Sequence, residues 1–198
     1  MSTIGLDSLY YATITEDAVT GVETYGTPVA LSPAMKADLS VELAEAMLYA
    51  DDAAAEVVKE FKSGKISLGV QELGTAKAAA LLGSTVDSKG VLVSTAEDVA
   101  PAVAIGFRAR KSNGKYAYYW LYKVIFAVPS DSLQTKGDSI SFATPTIEGT
   151  IMRRNKADTN NNHPWRAFVV DGESGVDSTT ITNWFTTVYE PTYAGGEG

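Results

Sequence analysis

PAVAIGFRARKSNGKYAYYWLYKVIF, residues 101–126, decides the fold. Two runs rich in β-branched and aromatic residues flank Asn113-Gly114, a dipeptide suited to the two positive φ angles of a type I′ turn. A two-residue loop predicts Ser112 opposite Lys115, Phe107 opposite Trp120, Ile105 opposite Tyr122 and Val103 opposite Val124. Side chains alternate along a strand, so this register predicts Val103, Ile105, Phe107, Tyr118, Trp120, Tyr122 and Val124 on one apolar side. Arg108, Arg110, Tyr119 and Lys123 fall on the other. The apolar side packs; the charged side meets solvent or a neighbour.

Outward from this hairpin, strands dominate. Residues 9–15 are rich in tyrosine, threonine and isoleucine and read as a first strand, preceded by an arm from Ser2 to Asp7. Leu39, Val41 and Leu43 alternate with Asp38, Ser40 and Glu42, and Ile66, Leu68 and Val70 with Lys65, Ser67 and Gly69, the pattern of strands with one buried and one wet face. Between them, the alanines of AEAMLYADDAAAEVVKEF suit a helix, whereas Val57, Val58 and Phe61 suit a strand; its first half reads as an extended excursion. TAKAAALL, residues 75–82, is the best helix, with Thr75 as N-cap and Gly83 as the left-handed residue that ends it. Further strands are predicted over residues 139–142, 146–154 and 165–170, with Pro145 breaking the first two. Residues 179–189 suit a helix or a strand. The expected fold is mainly β, two packed antiparallel sheets as a sandwich or barrel with one or two flanking helices.

Several phrases carry a resemblance. LYYATIT at residues 9–15, LYADD at 48–52, KSNGKYAYYWLYK at 111–123 and TKGDSISFATPTIEG at 135–149 occur in order along the chain. Together they resemble the major tail protein of long-tailed bacteriophages of Gram-positive hosts, as far as about Arg154. The resemblance implies a tail-tube fold, hexameric rings stacked into the tube through which viral DNA leaves the capsid, and residence in the virion tail after synthesis in the host cytoplasm. It also implies partners: copies of the chain itself, and the tape-measure, tail-terminator and distal tail proteins. DNA would pass through without specific binding.

Composition agrees with a single domain over residues 1–198, with an N-terminal arm at 1–8, an extended loop at about 45–58 and a C-terminal arm at about 190–198. The net charge is −8, from 16 basic and 24 acidic residues. Duplex binders carry a basic footprint, because phosphate neutralisation supplies most of their affinity, so this balance has the wrong sign. Acidic walls suit a surface that DNA must pass without sticking, although acidity also serves solubility alone. There is no cysteine, hence no disulfide framework or thiolate metal site. The N-terminus lacks a signal-peptide pattern, no run is long and apolar enough to cross a bilayer, and no membrane insertion is expected. The Asn160 to Asn162 run and the terminal GGEG read as mobile loop and tail.

The search for chemistry yields no cofactor, no metal site and no enzyme. His163 is the sole histidine, in TNNNHPW, without ligand spacing around it. DGESGV at residues 171–176 puts Val176 where a nucleophile elbow needs its second glycine, so Ser174 reads as a turn residue. Asp51-Asp52 and Glu97-Asp98 are adjacent pairs, which on a strand point oppositely. The hairpin aromatics, at period two, read as core rather than as a stacking platform.

The leading expectation is therefore a structural virion protein that assembles with itself, each subunit's open sheet edges paired by the next. Asp38, Ser40 and Glu42, the wet side of an amphipathic strand, are the candidates for the bore. Leu48, Tyr49, Ala50, Asp51 and Asp52, in an excursion reaching Ala55, are candidates for contact between subunits. Ser2, Thr3, Ile4, Gly5, Leu6 and Asp7 are candidates for contact between rings, as is the chain after Pro191. The alternative is a cell-surface or carbohydrate-binding β-sandwich module, or a related ring component at the tail tip.

Overall fold

The structure, a computed structural model, describes residues 3–50, 53–129 and 145–193. The chain is mainly β. Its strands are β1 (Thr3–Glu16), β2 (Glu23–Tyr25), β3 (Val29–Ala30), β4 (Ala34–Ala50), β5 (Ala53–Val70), β6 (Thr85–Val86), β7 (Leu92–Val93), β8 (Ala102–Lys111), β9 (Tyr116–Phe126), β10 (Thr146–Met152) and β11 (Arg166–Val170). Helix α1 (Thr75–Leu82) follows β5, and α2 (Ser178–Thr182) follows β11. Nine strands form one antiparallel sheet in the order β2-β1-β8-β9-β10-β5-β4, with β3 on β1 and β11 on β9; β6 and β7 form a small second sheet. The strand expected over residues 139–142 lies outside the described residues.

The central hairpin forms, but with a different register. Gly114 alone takes a positive φ, +80°, while Asn113 does not. Gly114 N donates to Lys111 O at 3.0 Å and Lys111 N to Lys115 O at 2.8 Å. The loop is thus Ser112-Asn113-Gly114, a turn closed by a left-handed glycine, one residue longer than the type I′ loop. Phe107 consequently faces Tyr119, and Ile105 faces Leu121. A bulge corrects the slip: two steps on β8, from Ile105 to Val103, match three on β9, from Leu121 to Val124, so Tyr122 and Lys123 share the place opposite Ala104.

This register overturns the predicted sorting of faces. Val103, Ile105, Phe107, Leu121, Val124 and Phe126 join one core layer with Leu9, Ile66, Leu68, Leu81, Ile147 and Ile151. Tyr118, Trp120 and Tyr122 join a second layer on the opposite face with Ala12, Ala104, Trp184 and Val188. Both faces of the hairpin therefore pack, and a charged, wet side does not exist along most of it. The aromatics are core, as expected: Trp120 and Tyr122 are fully buried. Trp120 lies over Gly106, where a Cβ would stand 2.7 Å from the ring, so the glycine is what admits the indole.

Helix α1 covers the first layer with Ala78, Leu81 and Leu82. It spans the predicted residues and ends at Gly83, φ +76°, but its N-cap is Gly74 rather than Thr75, with no side-chain cap. The C-terminal segment covers the second layer. Asp177 caps α2 through the N–H groups of Thr179 and Thr180, and the chain then crosses the sheet without pairing to it. Side chains of β9 hold it by its carbonyls: Trp120 Nε1 donates to Trp184 O at 2.9 Å, and Tyr122 OH to Tyr189 O at 2.9 Å. The Asn160 to Asn162 run is a defined turn rather than a mobile loop, because Asp158 Oδ1 accepts from both Asn160 N and Asn162 N.

Beneath this segment lies a buried ionic cluster. Glu23 and Arg154 are fully buried. Glu23 accepts from Lys123 Nζ and from the backbone N–H groups of Asn155 and Lys156. Arg154 donates to Glu190 at 2.8 Å and sits 4.6 Å from the Tyr122 ring centre, while Lys156 reaches the other Glu190 oxygen. Burial pushes the Tyr25 and Tyr122 phenols well above the ordinary tyrosine range, against the opposing pull of the Arg154 charge.

Candidate functional site

The first surface of interest is a hairpin arm. Strands β4 and β5 pair with each other from Ala34↔Val70 to Ala50↔Ala53, but β5 pairs with β10 only from Gly69 to Gly64. Residues 53–63 therefore run on past the last β10 rung for roughly 35 Å at strand rise, with β4 beside them. Extended pairing here replaces the loop expected at about 45–58. The physical reason lies in the cross-strand ladder: alanines tolerate a strand as well as a helix, and the partner strand decides. Leu48, Tyr49 and Ala50 belong to β4, opposite Glu56, Ala54 and Ala53; Asp51 and Asp52 lie outside the described residues.

The apolar side of β4 was expected to be buried. It is not. Leu39 is half-buried against the first core layer, but Val41 is 40% and Leu43 55% exposed. At the root of the arm, Phe61 stacks on Trp165 with centroids 4.5 Å apart, Arg166 lies over Trp165 at 4.7 Å, and Phe168 meets Tyr119 at 4.9 Å, itself stacked on Phe107. This aromatic row continues the core face beyond the cover of α1. Phe168, half exposed, ends it.

The second surface is the polar side of β4, β5 and β10. Pairing sets Asp38 beside Ser67 beside Glu148, and Ser40 beside Lys65 beside Thr150. These side chains border a shallow depression of about 330 Å³. The three candidates for the bore thus share one exposed face, with Glu42 next along β4 accepting from Ser63 at 3.2 Å. Asp38 pairs with Lys36 at 2.6 Å, an exposed pair that adds little to stability. The face is mixed in charge rather than uniformly acidic.

The segment expected as a free arm at residues 2–7 is different in kind. Thr3 to Asp7 begin β1 and pair with Lys111 to Arg108 of β8. Asp7 binds Arg108 through its carboxylate, and Leu6 packs on the first core layer. Alternation of Ile4, Leu6 and the following apolar residues gave the signal; Ser8, with φ +53°, bulges the strand and breaks that alternation. Ser2 lies outside the described residues. At the other terminus, Glu190 and Tyr193 are docked, the latter donating to Asp158 at 3.0 Å, and residues 194–198 lie outside the description.

His163 is exposed. Among the described residues, no three His, Cys, Asp or Glu side chains converge to hold a metal ion, and no helix is long and apolar enough to cross a membrane. No family model matches the chain, and no curated protein does.

Proposed function

We propose that this chain is a structural subunit that assembles with copies of itself into stacked rings, forming a tube of the kind that conducts DNA from a long-tailed bacteriophage. One observation carries the proposal: the β4–β5 arm. A two-stranded ribbon is marginal alone in water, and among the described residues this one leaves a long unpaired β4 edge beside exposed Val41 and Leu43. Such edges recruit strands unless they are covered. A neighbouring copy covers them. The resemblance of the sequence phrases to major tail proteins supplies the ring and the tube.

In that assembly the polar face of β4, β5 and β10 lines the bore, with Asp38, Ser40 and Glu42 toward the lumen. The overall charge of −8 per subunit repels phosphate and keeps DNA mobile. Velocity sedimentation across a concentration series tests the proposal: ring-sized and longer species are expected, and a single subunit at every concentration refutes it. The aromatic row ending at Phe168 favours one other reading, a carbohydrate-binding module. That reading predicts a lone subunit whose tryptophan fluorescence responds to glycans.

A further inference from the structure

Both long hairpins open toward the same end of the sheet. Strands β5 and β9 are each antiparallel to β10, so they run in the same direction. β5 starts at the tip of the arm, and β9 starts at the β8–β9 loop. The two tips are opposite in charge. Residues 41–63 of the arm hold six acidic residues against Lys59 and Lys62, whereas residues 108–115, RARKSNGK, hold four cations and no acid. Among the described residues, only Arg108 of those four meets a carboxylate, that of Asp7. Lys115 reaches the carbonyl of Gly172, and Arg110 is exposed. On the arm, Glu45 and Glu60 are exposed, Glu45 on the Leu43 side at 3.5 Å from Lys59 and Glu60 on the other.

We propose that the acidic β4–β5 arm of one copy docks beside the basic β8–β9 tip of the next copy in the same ring; this rests on the assembly proposed above. Direction selects the ring neighbour. In a stack of like-oriented rings, each subunit turns this end the same way, so the arm and tip of successive rings never face each other. A neighbour at the same height places its tip alongside the arm. β1 lies next to β8 there, with Gly5 opposite Arg110 and Ile4 as the extra residue of a bulge beside it, so the residue directly across from Arg110 carries no side chain. The contact is heterologous, and a rotation closes it into a ring. Opposite charge selects the register and steers encounter, and the contact weakens as salt shortens the screening length to a few ångströms.

Charge reversal tests this on the whole chain. R110E/K111E and E45K/E60K are each expected to abolish ring-sized species in sedimentation while leaving the melting of the lone subunit unchanged, and the quadruple variant is expected to restore rings. Rings formed by either double variant as by the wild type would overturn the contact and leave the assembly standing, as would failure of the quadruple variant to recover them. A wild type that never assembles removes both proposals. Should a double variant fail to fold, the cysteine-free background allows Arg110→Cys and Glu60→Cys chains to be mixed and treated with a short thiol cross-linker. A dimer spanning the two chains is expected in assembled particles; its absence there overturns the contact.

Discussion

Glu23→Ala removes the acid at the centre of the buried cluster, and the structure sets its cost. The carboxylate is fully buried, and the ammonium of Lys123 beside it is almost so. Without Glu23 that ammonium keeps no acid partner among the described residues, and the N–H groups of Asn155 and Lys156 lose their acceptor. Breaking a buried ion pair from one side costs about 3–5 kcal/mol, because the surviving charge is left desolvated. Each orphaned amide adds up to about 1–3 kcal/mol unless water reaches it. The total is a large fraction of a domain's stability of roughly 5–15 kcal/mol. Urea unfolding of the dissociated subunit, followed by tryptophan fluorescence, measures it. Adding Lys123→Met should recover much of the loss, since the stranded charge is then gone. A loss below about 1 kcal/mol, or no recovery in the double variant, would mean that this cluster does not fasten the 153–156 turn to the sheet.

Three further outcomes follow from particular residues. Above about pH 10 the unfolded chain ionises its tyrosines while buried Tyr25 and Tyr122 keep their protons, so the folded state binds more protons and stability falls as pH rises, by about 1.4 kcal/mol per pH unit for each. Phenolate absorbance should show these two ionising only with unfolding, and Tyr122→Phe should flatten the slope. Gly83→Ala meets both a left-handed φ and a Cβ 2.1 Å from Val99 O, so thermal melting should report a loss of about 2–4 kcal/mol. Leu43→Lys, at an exposed position on the arm, should leave lone-subunit stability within about 0.5 kcal/mol yet lower the fraction sedimenting as rings.

What was legible in the sequence were local patterns. α1 emerged residue for residue because alanine and leucine propensity and a terminal glycine coincide within eight residues. The hairpin was legible, but its register was not: Asn113-Gly114 fits a type I′ turn and equally a three-residue loop, and the choice depends on how Trp120 settles over Gly106 and how Tyr122 and Lys123 share one rung. One slipped residue exchanges the faces. The buried cluster left no sequence trace, because Glu23, Lys123, Arg154 and Glu190 are brought together from four distant places and each looks like an ordinary surface charge. Val41 and Leu43 misled for the opposite reason. Their alternation announces a covered face, and nothing among the described residues of one chain covers it.

Electron cryomicroscopy of the assembled protein decides whether β4 completes its sheet with a strand of an adjacent copy. Hollow rings are expected, in which the outer edge of β4 is hydrogen-bonded to a strand of the adjacent copy and the Asp38, Ser40 and Glu42 face turns to the lumen. A concentrated sample that shows only separate subunits, the β4–β5 arm open to water along its whole length, would contradict it.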